Sequence, residues 1–218
     1  MPKLEPTLQC LVQDFFVHYL TEQKNVSSRT IESYRDAIKL FLTFVASKKN
    51  NKVCNLALED ITVDGVLDFL NYLEKSRGNH PRSRNARLAV IKSFFNYISI
   101  RCPSHLNRIG KILSIPRKKY DTPIMTYLER DEVETIMDSV DKDSFSGMRD
   151  FALFTFMYNT GARVSEAINV KKADIDFSKS GTVHIHGKGR KQRKMPLWKS
   201  TSKLLKNWIN SSYTNYVK

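Results

Sequence analysis

Two short motifs in the second half of the chain carry cations suited to phosphate chemistry. Residues 160–166 (TGARVSE) end an apolar helical pattern, and residues 187–191 (GKGRK) lie at the tip of a predicted hairpin. A guanidinium donates two parallel hydrogen bonds to phosphate oxygens and stays charged at any working pH, whereas a lysine is a point charge on a flexible stem. We therefore predict that Arg163 and Lys188 converge on one phosphate.

Length and cysteine usage limit the class of protein. A chain of 218 residues is long enough for one large domain or two modest ones, each with its own core, and we favour two. Cys10, Cys54 and Cys102 are odd in number and form no C-x-x-C pair, which disfavours a disulfide framework or zinc site and fits a reducing compartment. Neither a bilayer-length apolar run nor a signal pattern is present. We predict a cytoplasmic protein that needs no metal or cofactor.

The charge distribution indicates a polyanionic partner. The formal net charge is +14, and from Ser76 to Tyr120 there are eleven Lys or Arg residues and no acid. Acidic residues are also absent after Asp176, whereas Asp121 to Asp150 carries nine acids against three bases. Basicity is therefore gathered on particular surfaces, which is typical of nucleic-acid binding. The alternative is a solvated basic face with no specific partner.

The first hundred residues show four apolar stripes at helical spacing. The stripes begin near Leu8, Ile31, Val63 and Leu88, and each predicts an amphipathic helix with one face in a shared core. Aromatic side chains on these stripes could stack on bases, but at this spacing they are more often core residues. We predict a small four-helix bundle with the aromatic side chains inside.

Basic residues lie near the predicted starts of the second and fourth helices, where groove-entering helices usually meet DNA. Cations at a helix N-terminus oppose the helix dipole at a cost of a few tenths of a kcal/mol each, roughly, so an external anion is expected there. The alternative is that the fold tolerates this small penalty. The predicted DNA contacts on these helices are Arg29, Thr30, Arg82, Arg84, Arg87 and Lys92.

Residues 103–125 contain three prolines, a basic run and no sustained periodicity, which is typical of a linker. The predicted boundaries are therefore residues 1–102 for the first domain, 103–125 for the linker and 126–218 for the second domain. In the second domain, Thr126 and Glu129 predict a capping box at a helix start. A strongly apolar helix from Met148 to Asn159 follows, buried on most sides and ended by Gly161.

The rest of the second domain contains a hairpin and a last amphipathic helix. Residues 182–186 alternate apolar and polar side chains, and the turn at residues 187–189 folds the chain back along residues 192–197. The last helix carries apolar Leu204, Leu205, Trp208 and Ile209 on a wide face.

This order of elements, with the TGARVSE box and the GKG turn after it, resembles the tyrosine recombinases of the phage-integrase type. The resemblance covers essentially the whole chain, and the arginine box is its most specific part. It implies a mainly α fold with a small antiparallel hairpin or sheet: an N-terminal four-helix core-binding (SAM-like) bundle, then the first part of a catalytic domain. It also implies double-stranded DNA as the partner and strand breakage and rejoining without a high-energy cofactor, in a tetramer on DNA.

The resemblance implies a role for each residue of the two motifs. Arg163 would bind nonbridging oxygens of the scissile phosphate, and Glu166 would hold the arginine and nearby backbone in place. Lys188 would be the general acid for the departing 5′ oxygen. Flanking phosphates would be bound by Arg190, Lys191 and Arg193.

The sequence departs from the family pattern after the hairpin. The His-x-x-Arg box, the further His or Trp and the tyrosine nucleophile of such enzymes are missing there. We interpret Tyr213 and Tyr216 as tail residues just past the last helix, and His184 and His186 as strand residues that cannot replace the box. The expectation is a C-terminally truncated recombinase that binds duplex DNA without cutting it.

Several interpretations of this shortened pattern stay open. The chain could be a fragment, the product of a truncated gene or a natural short form that acts as a binding protein or inhibitor. A different class is a non-catalytic helical DNA-binding regulator without recombinase ancestry, for which Arg163 and Lys188 need no special arrangement.

Overall fold

The chain divides into two compact units, Met1–Pro123 and Ile124–Lys218, each with its own hydrophobic core. The computed structural model describes residues 5–178, 181–187, 189 and 191–216, with side chains through residue 211. Within these residues, no helix combines the length and apolar character needed to cross a membrane.

The N-terminal unit contains the four predicted helices. Ser27 and Thr62 accept hydrogen bonds from the backbone of the first turns that follow them, and Pro81 occupies the first position of its helix, as the sequence predicts. The helices are α1 (Leu8–Asp14, continued by a π-helical segment, Phe15–Gln23), α2 (Ser28–Lys48), α3 (Val63–Lys75) and α4 (Pro81–Arg101).

Aromatic rings fill the middle of this bundle. Phe15, Phe41, Phe69, Phe94 and Tyr97 have no solvent-exposed area. The Phe15 and Phe94 ring centroids are 5.1 Å apart in an edge-to-face arrangement, and the Phe41 and Phe69 rings pack in the same way. The aromatic stripes are therefore core, as predicted, and these rings are not available for stacking on bases.

A fifth helix corrects the expected linker. Residues 103–113 form a short 3-10 turn (Pro103–His105) and α5 (Leu106–Leu113). Ile109, Ile112 and Ile115 are buried in the N-terminal core. The prolines and the basic run obscured the short amphipathic pattern of this helix, which burial of these three side chains stabilises. The first unit therefore continues well beyond residue 102.

The chain after α5 is fastened to the N-terminal unit by Asn85. The Asn85 side-chain amide donates to the Lys118 carbonyl at 2.8 Å, and its oxygen accepts from the Lys118 amide at 3.0 Å. The Lys118 ammonium lies 2.7 Å from a Glu74 carboxylate oxygen, and the Tyr120 ring packs edge-on against His80. The basic run at residues 117–119 is therefore held on the surface of the bundle.

We expect Asn85→Ala to release this segment. The variant also loses the bond from Arg84 Nη1, but only the two exposed bonds to Lys118 tie down the segment; losing them costs about 1 kcal/mol, which corresponds to a roughly fivefold larger open population. Trypsin cleavage after residues 117–119, followed by mass spectrometry of the fragments, should accelerate by about that factor. Asn96→Ala, an exposed change on the same helix, should leave the rate unchanged, and equal rates for both variants would count against the fastening role.

The C-terminal unit combines helices with a small sheet. Its strands are antiparallel in the order β1-β2-β3, and Val183 of β2 lies opposite Met195 of β3. Val183 and Ile185 are fully buried, whereas His184 and His186 are exposed, which confirms the predicted alternation. The elements are α6 (Arg130–Asp138), α7 (Phe145–Thr160), α8 (Val164–Ala167), β1 (Ile175–Asp176), β2 (Thr182–His186), β3 (Gln192–Pro196) and α9 (Lys199–Tyr216).

Three local predictions for this unit need correction. Helix α6 begins at Arg130, because the Glu132 carboxylate accepts from the Glu129 amide, and Thr126 does not cap it. Helix α7 is not buried on most sides, since Phe154 and Tyr158 on it are exposed. Helix α9 continues through Tyr216, so the two tail tyrosines belong to that helix and not to a segment after it.

Candidate phosphate and nucleic-acid site

The arginine box lies in a sharp connection between α7 and α8. Gly161 ends α7 with a left-handed backbone (φ 61°), a conformation that glycine adopts without steric penalty. Arg163 then takes an extended backbone (φ −68°, ψ 153°) as the residue before α8. Because the chain changes direction here, the Arg163 side chain projects into solvent with 74% of its area exposed.

Glu166 is the buried anchor of this connection. Its side chain is only 4% exposed, and its oxygens accept from the Arg163 amide and from Arg163 Nη1, both at 3.1 Å. Its Oε2 atom also accepts from Arg193 Nη2 of β3 at 2.8 Å. A buried carboxylate is tolerated only when paired and hydrogen-bonded, and here two arginines satisfy it.

These contacts keep Glu166 ionised. The hydrogen bond from Arg193, followed by the bond from the Arg163 amide, lowers the pKa of the Glu166 carboxyl from 4.5 to about 2. A lowered folded-state pKa means that the pairing stabilises the fold above pH 4.5 and that this contribution disappears as the pH falls through about 2. Near neutral pH, one carboxylate therefore faces two guanidinium groups, and one positive charge is left over for an external anion.

The remaining predicted residues of the hairpin have different positions. Lys191 is exposed, and its carbonyl accepts from the Gly187 amide at 2.7 Å, which closes the turn. Arg193 is half-buried against Glu166. Lys188 and Arg190 lie outside the described residues, so the predicted convergence of Arg163 and Lys188 remains a prediction.

A groove with a net positive lining, four cations against the two acids Glu32 and Asp36, runs between α2 and α4 of the N-terminal unit. It has a volume of about 770 Å³, and the predicted contacts Arg29 and Arg87 line it. Arg77 and Lys39 line the same groove, although neither was predicted to be a site residue. Arg77 belongs to the acid-free stretch, which was the available signal for it, and Lys39 lies further along the helix that starts near Arg29.

The structure corrects the prediction for Arg84. Its side chain is only 12% exposed, and its Nε atom lies 3.6 Å from a Glu74 carboxylate oxygen, while Nη1 donates to Asn85. The positive charge of Arg84 by itself predicted a side chain exposed to solvent and DNA. In the structure the side chain points toward Glu74 on α3. Arg84 forms a structural ion pair with Glu74 next to the fastened segment and does not belong to the candidate DNA surface.

The other predicted contacts on these helices vary in exposure. Arg82 is exposed. The Thr30 hydroxyl lies 2.9 Å from that of Ser27 at the start of α2, so it takes part in the cap. Lys92 is half-buried, and burial, with a smaller contribution from Arg117, lowers its pKa.

The sequence contains one His-x-x-Arg spacing, at residues 105–108, but it lies in the N-terminal unit. There the His105 ring is within ion-pair distance of Glu5 and Glu59, at 3.1 and 3.2 Å. Arg108 donates to a backbone carbonyl of the same unit. These contacts give the two residues structural roles, separate from the arginine box at Arg163.

Comparison with known proteins matches both units. Residues 14–100 match the model described as "Phage integrase, N-terminal SAM-like domain", and residues 126–217 match the "Phage integrase family" model. A putative integrase/recombinase, y4rC, of Sinorhizobium fredii is 36% identical over 203 residues, covering 93% of this chain and 61% of that protein. The tyrosine recombinase XerC of Oceanobacillus iheyensis is 30% identical, covering 94% of this chain and 64% of that protein.

Solved structures share the fold. The XerH site-specific recombinase bound to palindromic difH substrate aligns with a TM-score of 0.64 and 23% identity, covering 85% of this chain and 54% of that one. A lambda integrase (75–356) dimer bound to a COC′ core site aligns with a TM-score of 0.62 and 18% identity, covering 93% and 69%. The chain belongs to the phage integrase family of tyrosine recombinases and spans about two thirds of the length of the curated relatives it matches.

Family membership confirms the resemblance and the fold class predicted from the arginine box and the element order. It also excludes the alternative of a helical regulator without recombinase ancestry.

Proposed function

We propose that this chain binds double-stranded DNA as the DNA-binding part and opening catalytic part of a tyrosine recombinase, which in its complete form integrates or recombines DNA. Residues 1–102 would be the core-binding domain, here extended by α5, and residues 126 onward the catalytic domain. The proposal rests most on one observation: Arg163 is exposed while the buried Glu166 carboxylate holds one edge of its guanidinium. The other edge of the guanidinium can donate hydrogen bonds to phosphate oxygens.

Each cation has a defined part in this proposal. Arg163 binds the scissile phosphate, and Glu166 positions it. Lys188 supplies a proton to the departing 5′ oxygen, and Arg190 and Lys191 bind neighbouring phosphates. The groove arginines Arg29 and Arg87, with exposed Arg82, contact the duplex backbone. Several copies assemble on DNA in the cytoplasm, where reduced thiols persist.

We further propose that the chain binds DNA without cutting it, because the sequence carries no tyrosine on an element that follows a second arginine box. A duplex with a nick that traps covalent intermediates tests this directly. The expected result is a shifted, non-covalent complex that denaturant dissociates completely. A covalent adduct that disappears with Tyr213→Phe or Tyr216→Phe would contradict the absence of a nucleophile, and failure to shift the duplex at low salt would contradict DNA binding.

A further inference from the structure

Glu166 connects the arginine box to the hairpin by pairing with Arg193. Arg193 was predicted to bind a flanking phosphate. Arg193 on β3 donates from Nη2 to Glu166 Oε2 at 2.8 Å, and the same nitrogen lies 3.5 Å from the Gly161 carbonyl. Only 35% of the Arg193 side chain is exposed, compared with 74% for Arg163. One of the two arginines on Glu166 is therefore half-buried, and the other is largely exposed to solvent.

The base of the hairpin packs against the same carboxylate. A Cβ atom added at Gly187 would lie 3.0 Å from Glu166 Oε1 and 3.6 Å from Arg193 Nη1. Gly187 immediately precedes Lys188, and its amide donates to the Lys191 carbonyl at 2.7 Å. The start of the hairpin tip thus lies directly on the Glu166 and Arg193 pair.

We propose that Arg193 is a positioning residue that joins β3 to the arginine box through Glu166, and that it does not bind a DNA phosphate itself. Because Arg193 binds the Oε2 atom of Glu166, the Oε1 atom stays in place to accept from Arg163. The guanidinium of Arg163 is therefore held in one orientation. The same contact fixes the backbone at Gly187. Arg193 therefore sets the geometry of both the fixed arginine and the base of the hairpin.

This inference rests on the proposed function for its effect on DNA, but the contact itself can be tested without DNA. Carboxyl NMR of Glu166 and the Arg163 Nε–Hε resonance are measured in the wild type, Arg193→Gln, Arg193→Lys and the control Lys194→Gln, an exposed cation on the same strand. In the wild type, Glu166 should remain ionised while ordinary glutamates titrate near pH 4.5. Arg193→Gln should bring Glu166 into that range and shift the Arg163 resonance.

The conservative variant separates positioning from a merely structural role. Arg193→Lys keeps the charge but loses the planar fork, so Glu166 should stay ionised while the Arg163 resonance shifts partway. Lys194→Gln should change neither signal. If Arg193→Gln leaves both the Glu166 titration and the Arg163 resonance as in the wild type, the inference is overturned.

A double-mutant cycle in duplex binding decides between positioning and direct phosphate contact. If Arg193 acts through Arg163, then Arg193→Gln weakens binding up to about tenfold but has no further effect once Arg163→Gln is present. If Arg193 contacts a phosphate, the two changes add and each reduces the salt slope by about 0.9, which overturns the inference. A wild-type chain that does not bind DNA refutes the proposed function, while the NMR result still decides the role of Arg193.

Discussion

Replacing Arg29 and Arg87 together with glutamine should weaken duplex binding by roughly a hundredfold at 0.1 M salt. Each phosphate contact releases counterions and contributes a slope near −0.9 in log affinity against log salt, which amounts to about tenfold at that concentration. Both side chains line the groove between α2 and α4, Arg29 in the first turn of α2 and Arg87 in the second turn of α4. The double variant should therefore also flatten the slope by about 1.8.

The chain offers a matched control for this experiment. Lys48 and Arg101 lie at the opposite ends of the same two helices, where Lys48 pairs with Asp68 and Arg101 stacks on the Tyr97 ring. Lys48→Gln with Arg101→Gln removes the same net charge but should change affinity by much less. Equal losses from the two pairs would show that binding responds to total charge and not to the groove.

The largest expected effect on stability comes from Gly147→Ala. Gly147 is buried in the first turn of α7, and a Cβ atom there would lie 1.6 Å from the Asp141 carbonyl oxygen and 2.9 Å from Ser144 Oγ. Backbone atoms cannot move aside cheaply, and Ser144 also caps the helix by accepting from the Gly147 amide. We expect a loss of about 3 kcal/mol in the free energy of unfolding of this unit.

Both tryptophans, Trp198 and Trp208, belong to the C-terminal unit, so their fluorescence during urea unfolding reports on that unit. Gly147→Ala should shift this transition to lower urea, whereas Gly110→Ala should not. A Cβ atom at Gly110 in α5 meets no atom within 4 Å, and alanine there should stabilise α5, and with it the N-terminal unit, by up to about 1 kcal/mol. An unchanged fluorescence transition for Gly147→Ala would contradict the steric argument.

The elements that local pattern determines were predictable from the sequence. The apolar stripes identified α2, α3 and α4, and Gly161 marked the end of α7, because helical spacing and backbone conformation are encoded within a few residues. The alternation in residues 182–186 likewise identified β2. The arginine box, a run of seven consecutive residues, indicated the family by residue type and order alone.

The features that were wrongly predicted or missed depend on contacts between distant residues. Arg84 carries the same charge as its neighbours, and only the approach of Glu74 from α3 distinguishes a buried ion pair from a DNA contact. The β1 strand is two residues long and exists because β2 pairs with it. Helix α5 is stabilised by a core to which residues far away in sequence contribute. Local propensity carries no information on such partners.

The role of Arg163 is tested most directly by the salt dependence of duplex affinity for the wild type and for Arg163→Gln. Glu166 holds one edge of the Arg163 guanidinium and leaves the rest exposed to solvent, and we assign that free edge to a DNA phosphate. The wild-type plot should be linear, and Arg163→Gln should reduce its slope by about 0.9, the value of one contact. Parallel lines for the two proteins would mean that Arg163 contacts no phosphate and would contradict the proposed site.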